Sequence, residues 1–298
     1  MDFPPETATM KVGIDSYCYH RFLGDVYPEQ QPPAAPYTMD RVIDRAHELG
    51  CGGISLESCF FPSFDPGYLA DVRARLDAYE FDRVYAWGHP DGLEAGRNPS
   101  AKEDMIRHIK HAKAIGATVM RVVGSSFSFV RDPHEPQLRI LGGWFKEAAR
   151  VAAAEGVSLA VENHIDYDAD EILRLIEEVD SPFFGVNLDT ANFLRVLDDP
   201  VAATEKLAPH VLATHIKDVE PVKGRSVRAW NYFACVAAGE GLVEIEKIVA
   251  ILARTGYRGL LAFEVDMPAE RWLGREDEMV EHSIAYLERV AAAEAFHG

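Results

Sequence analysis

Eight short apolar runs, rich in β-branched residues, recur along the chain, with helical or loop sequence between them. They are KVGID (11–15), GGISLE (52–57), RVYAW (83–87), ATVMRVVG (117–124), VSLAVEN (157–163), FFGVNLD (183–189), VLATHIK (211–217) and GLLAFEV (259–265). Most are continuous rather than alternating in polarity, as strands are when protein covers both faces. The amphipathic stretch TMDRVIDRAHELG opens on Thr38 as a cap and closes on Gly50, and three others close on Gly116, Gly156 and Gly256. Glycine just past a helix supplies the left-handed residue of a C-cap. Helix, glycine and strand repeated in this way specify βαβ units and a parallel sheet. Eight such units predict a closed (β/α)8 TIM barrel with its active site at the C-terminal ends of the strands. The competing open, doubly wound sheet would carry a glycine-rich phosphate loop after an early strand; neither G-x-G-x-x-G nor G-x-x-x-x-G-K-[ST] occurs.

A length of 298 residues suits one such barrel, which typically takes about 250. The expected organisation is a flexible arm over 1–10 and a single barrel domain over 11–298. With 48% hydrophobic and 26% charged residues the chain can bury a full core. A formal net charge of −18 repels phosphate backbones, so nucleic acid is not an expected partner. No apolar run approaches the ~18 residues of a membrane span, and MDFPPETATM has no apolar signal-peptide core. The four cysteines, Cys18, Cys51, Cys59 and Cys235, form no C-x-x-C and read as free thiols, which suits a cytoplasmic protein. Two long connections, Cys18–Tyr37 and Val219–Gly239, have the length of functional loops.

The strand ends carry the chemistry. Run five ends in Glu162, Asn163 and His164; run six in Asp189, with Asn192 three residues on; run seven in His215, Lys217 and Asp218; run eight in Glu264 and Asp266. Four consecutive strands thus deliver Glu162, Asp189, His215 and Glu264 to one depth. A lone buried charge there would cost several kcal/mol, on the order of the usual desolvation penalty, and three converging carboxylates would repel one another. One divalent metal ion resolves both problems. Three oxygens and one imidazole suit Mn²⁺ best, with Mg²⁺, Co²⁺ and Zn²⁺ also compatible. His164 lies two residues from Glu162, hence on its side of the strand, and an imidazole is a competent general base near neutral pH. Lys217 relates to His215 in the same way and could hold a developing oxyanion or, equally, pair with Asp218 or Asp189. Further candidates for substrate contact are Tyr17 and His20 after run one, Trp87 and His89 after run three, Asn192, and Arg225 in the second long loop. The remaining histidines, His108 among them, read as surface or helix residues.

VENH, GVNLDTAN, THIKD, GEG and LAFEV, in that order, resemble the motifs of the xylose-isomerase-like TIM-barrel superfamily of sugar isomerases and epimerases. The resemblance runs over nearly the whole chain from Lys11 and includes ketose 3-epimerases and hydroxypyruvate isomerases. It implies Glu162, Asp189, His215 and Glu264 as metal ligands, with Glu162 and Glu264 doubling as the acid/base pair. The implied reaction is proton abstraction next to the carbonyl of a keto sugar, through an enediolate. The chain departs from the epimerase pattern at Asn192, where those enzymes commonly have histidine. The same superfamily includes catalytic subunits of C-glycoside deglycosidases, lyases that act on 3-oxo-glycosides with a metal and a histidine base and work with a small partner subunit. Glu162-x-His164 fits that alternative, with His164 as base. The expected partner is therefore a small keto sugar or oxo-glycoside. The expected assembly is a homo-oligomer, or a hetero-oligomer with a small subunit under the lyase reading. A non-catalytic sugar-binding barrel is a third reading.

Overall fold

The computed structural model of the chain describes residues 10–88 and 91–295. Most of the expected N-terminal arm, and His89, lie outside them. The eight predicted runs all form strands: β1 (Lys11–Asp15), β2 (Gly53–Glu57), β3 (Asp82–Ala86), β4 (Val119–Val123), β5 (Ser158–Glu162), β6 (Phe184–Asp189), β7 (Val211–Ile216) and, after two further strands, β10 (Leu260–Phe263). They close into a barrel in the order β1-β10-β7-β6-β5-β4-β3-β2, and every neighbouring pair is parallel. Among the described residues eight α-helices cover it: α1 (Met39–Glu48), α2 (Pro66–Ala78), α3 (Pro99–Ala114), α4 (His134–Glu155), α5 (Ala169–Val179), α6 (Pro200–Leu207), α7 (Ile245–Arg254) and α8 (Glu276–Ala295). Thr38 caps α1 by accepting the Arg41 N–H, and Gly50, Gly116, Gly156 and Gly256 all have φ between 73° and 87°. Among the described residues no helix is long and apolar enough to cross a membrane. The four cysteines are unpaired, with Cys59 exposed and the others buried.

The second long connection is more ordered than a loop. Its ends, β8 (Asp218–Pro221) and β9 (Phe233–Val236), pair antiparallel into a hairpin arm that follows β7. Asp218 fixes the return of this arm by accepting backbone N–H bonds from Val219, Gly239, Gly241 and Val243 at 2.8–3.0 Å. This fourfold capping explains a buried carboxylate outside the metal set.

Small residues fill the barrel below the strand ends. Val84, Ala160 and Ala213, from alternate strands β3, β5 and β7, pack in one layer, as barrel interiors do. Between β1 and β2 the backbones approach too closely for any side chain. A Cβ on Gly13 would lie 2.1 Å from the Gly53 carbonyl oxygen, and one on Gly53 would lie 2.5 Å from the Asp82 carbonyl oxygen. A narrow floor holds the polar side chains of the next layer in mutual reach.

The outer face of β3 packs on α3 through polar contacts, and two sequence expectations change here. Trp87 is buried and donates its indole N–H to Asp104 at 2.9 Å, so it serves the strand–helix interface rather than a sugar wall. His108 lies on α3, one of its two expected places, but is buried, and its Nδ1 lies 2.5 Å from the Tyr85 hydroxyl. Burial pushes the His108 pKa down from 6.5 to about 4, against the pull of Asp104. Between those two values the unfolded chain binds a proton that the folded chain does not. The contribution of His108 to stability is therefore fully present above pH 6.5 and is lost as pH falls toward 4. Melting curves of the protein and of His108→Asn, which keeps an acceptor for Tyr85, should diverge in this window, with the variant falling less steeply; parallel curves would refute the assignment.

Candidate metal centre and active site

Parallel pairing carries the four predicted ligands to one level. Asp189 pairs with His215 across β6 and β7, and His215 pairs with Ala262, two residues before Glu264. Glu162, Asp189, His215 and Glu264 are each 3% exposed or less. One donor atom from each lies within 4.8 Å of the others. His215 Nδ1 is 3.3 Å from Glu264 Oε1 and 3.6 Å from Glu162 Oε1, while its Nε2 faces Asp15 Oδ2 at 3.5 Å. Asp189 Oδ1 accepts the backbone N–H groups of Ala191 and Asn192, both at 2.9 Å, leaving Oδ2 for the cluster. Asn163 points away from the cluster and locks β5 to β6: its amide donates to the Asp189 carbonyl and its oxygen accepts the Asp189 N–H, both at 2.9 Å.

These residues fit a divalent cation. Both nitrogens of His215 are buried without a hydrogen bond, and Asp189 Oδ2 and Glu264 Oε2 have only the Lys217 ammonium against them, a costly arrangement for the imidazole unless an ion satisfies it. The charge count agrees. Asp15, Glu57, Glu162, Asp189, Glu264 and Asp266 converge on Arg121, Lys217 and His215. Burial pushes Glu57 up to about 8 in spite of Arg121, and Asp189 up to about 7 in spite of Lys217. His215 is driven well above its usual range: burial opposes its charge, but Glu264 and Glu162 outweigh it. All three directions mark a site short of positive charge. The donor set of three carboxylates and one imidazole suits Mn²⁺ or a similar ion.

The remaining oxygens of two of these carboxylates are held by buried cations. Arg121, on β4, donates its Nε–H to Glu162 Oε2 and places NH1 3.2 Å from Glu57. Burial alone would raise the Glu162 pKa, but Arg121 and His215 hold it well below the carboxylate range. Lys217 lies 2.6 Å from Glu264 Oε2 and 2.9 Å from Asp189 Oδ2, and hydrogen-bonds Asp266 at 2.7 Å. Of the two expectations for Lys217, the salt bridge to Asp189 is present, and its ammonium is enclosed by three carboxylates.

Above the cluster opens a cavity of about 680 Å³. Of the predicted site residues, Tyr17, His164, Asn192 and Glu264 line it. His164 follows β5 on a short loop in which Ile165 has φ of 52°, a strained value for a β-branched residue. The His164 Nδ1 is buried without a hydrogen-bond partner, and burial lowers the imidazole pKa, so the ring is neutral at physiological pH. Two other candidates sit elsewhere. His20 is buried behind Tyr17 with both ring nitrogens against backbone carbonyls, those of Asp25 and Asp266, at 2.7 and 2.8 Å. Arg225 lies on the hairpin arm and pairs with Glu29 at 3.4 Å. The two long connections meet over the cavity: Tyr27 of the first packs on Trp230 of the second at 5.2 Å, and both line it.

Asp15, Glu57 and Arg121 escape a reading confined to the last four strands. Their signals are present: Asp15 and Glu57 end β1 and β2 as Glu162 ends β5, and Arg121 interrupts an otherwise apolar run. The aromatic residues of the long loops have no comparable signal, because loop sequence does not encode where the chain returns.

Residues 43–290 match the profile of the xylose isomerase-like TIM barrel family. The chain is 23% identical over 283 residues to 3-oxo-isoapionate decarboxylase of Pectobacterium atrosepticum, covering 93% of this chain and 95% of the relative. It is 26% identical over 167 residues to an L-ribulose-5-phosphate 3-epimerase of Escherichia coli, covering 55% of each. Its fold superposes on an L-ribulose 3-epimerase structure with a TM-score of 0.70 at 16% identity, over 96% of this chain and 95% of that one. With the barrel, the strand-end ligands and the profile in agreement, the chain belongs to the xylose isomerase-like TIM barrel family.

Proposed function

We propose that the chain is a divalent-metal-dependent lyase that removes a proton next to the carbonyl of an oxo-glycoside or related 3-oxo sugar derivative, with His164 as the base. One observation carries this reading: Glu162 Oε2 is held by Arg121 and Glu264 Oε2 lies against Lys217, so with each Oε1 turned to the cation position neither carboxylate has an oxygen left to act as base, whereas the His164 Nδ1 has no protein partner. A carboxylate tied to a guanidinium is a poor base; a neutral imidazole beside the cavity is a good one. A cation held by Glu162, Asp189, His215 and Glu264 would polarise the substrate carbonyl. His164 takes the α-proton, and the electron pair left on carbon forms a double bond as the β-substituent departs with its bonding electrons. Tyr17, Tyr27 and Trp230 offer apolar walls above the imidazole. A cavity of this volume is the size of sites that take drug-sized ligands, about 300–1,000 Å³, and so has room for a sugar with its substituent. A relative named as a decarboxylase of a 3-oxo compound agrees with bond cleavage beside an oxo group.

The second reading is a ketose isomerase or epimerase using Glu162 and Glu264, favoured by the similarity to a 3-epimerase. The two separate in one experiment. The metal-loaded protein is incubated in D₂O with ketoses and with 3-oxo-glycosides, quenched with chelator and read by NMR. The lyase reading expects bond cleavage of the oxo-glycoside, reduced about 10²-fold or more in His164→Gln, with metal affinity kept. Deuterium entering an intact ketose at equal rates in both proteins would replace it with the epimerase reading. No change in either substrate class would leave a non-catalytic barrel.

Metal binding is testable without substrate. Titration should give one Mn²⁺ per chain, and a free ion at 100 times its dissociation constant should add about 2.7 kcal/mol of stability, read as a raised melting temperature. Asp189→Asn should abolish that gain. An unchanged melting temperature in the native protein would refute the metal site.

A further inference from the structure

We propose that Asp15 is a positioning residue that fixes the tautomer and orientation of His215, so that Nδ1 presents its lone pair to the cation. The proposal rests on the metal reading above. Asp15 is the last residue of β1 and is wholly buried. Its two oxygens have different surroundings. Oδ1 accepts the Tyr17 N–H at 2.6 Å and so caps the short helical turn over Ser16–Tyr19. Oδ2 has no hydrogen bond and faces His215 Nε2, which is itself buried and without one, at 3.5 Å. A shift of about 0.5 Å brings that pair to an ordinary N–H···O distance.

The geometry at the other nitrogen sets the direction of the bond. Nδ1 faces Glu162 Oε1 and Glu264 Oε1 and is therefore the metal-side atom. An imidazole that gives its Nδ1 lone pair to a cation carries its proton on Nε2. That N–H is buried and needs an acceptor, and Asp15 Oδ2 is placed to be it. A carboxylate on the far nitrogen also raises the basicity of a ligating histidine and stops the ring turning. Capping alone does not account for Asp15, because serine or asparagine caps as well without burying a charge.

The test is calorimetric titration of the full chain with Mn²⁺, alongside the melting temperature of the metal-free protein. Asp15→Asn keeps an oxygen for the Tyr17 N–H but turns an amide donor toward Nε2, which forces the ring proton onto Nδ1. It should lower Mn²⁺ affinity about 10- to 100-fold while the metal-free melting temperature stays near that of the native protein. Asp15→Ser keeps a capping oxygen and removes the group facing His215; it should lose affinity, but less than Asp15→Asn. Affinity within twofold of native in Asp15→Asn would overturn the proposal and leave the metal site standing. Equal losses of affinity and metal-free stability in both variants would assign Asp15 to the cap alone and overturn it too. Failure of the native protein to bind Mn²⁺ would overturn the metal reading and this proposal together.

Discussion

The mouth of the barrel is organised by an excess of buried negative charge. Six carboxylates meet two permanent cations and one imidazole in a space with almost no solvent access. In a low-dielectric interior such a set is unstable unless protons or a further cation restore balance. That constraint explains why orphaned oxygens and both nitrogens of His215 point at one another. It explains too why burial lifts Glu57 and Asp189 toward neutrality. The barrel makes the arrangement possible, since its hydrogen-bonded strands hold the backbone rigidly enough to keep like charges together.

Within that set the division of labour follows from pairing. Arg121 and Lys217 take the outer oxygens of Glu162 and Glu264, so the carboxylates serve as ligands while their basicity is lowered. His164 stands apart from the pairing, in a strained loop at the cavity edge, with a nitrogen left free. One barrel can therefore support different outcomes after the same proton abstraction, depending on which group is left to act as base. The neighbouring loops add the second level of selection. The Cys18–Tyr37 connection and the hairpin arm meet through Tyr27 and Trp230, and Glu29 bridges to Arg225 and Asn231. Access to the cluster runs beneath that contact.

The legibility of the site varies with how local its determinants are. Glu162, Asp189, His215 and Glu264 were readable because each ends a run of buried residues, and the parallel barrel brings strand ends together whatever the detail. Asn163 was readable for the same reason: alternation turns it away from Glu162 and toward the neighbouring strand. Lys217, Trp87, His20 and Arg225 were legible as polar or aromatic residues near strand ends and loops, but their full sets of partners were not. Each depends on a residue distant in sequence: Lys217 on Asp266, Trp87 on Asp104, His20 on the Asp266 carbonyl and Arg225 on Glu29. Residue type and spacing do not encode those approaches.

By itself the sequence determined the barrel, the depth of the polar layer and the four candidate ligands. Strand length, glycine-terminated helices and side-chain alternation are local properties, and a closed parallel barrel has one active end. Only the tertiary structure decided which oxygen of each carboxylate is free, that Asp15 stands behind His215, and that the two long connections close over one cavity. Those depend on β1, β2 and β4 meeting β5, β7 and β10 around a closed ring. Charge pairing in a buried site is set by distances of a few ångströms that the order of residues along a chain does not contain.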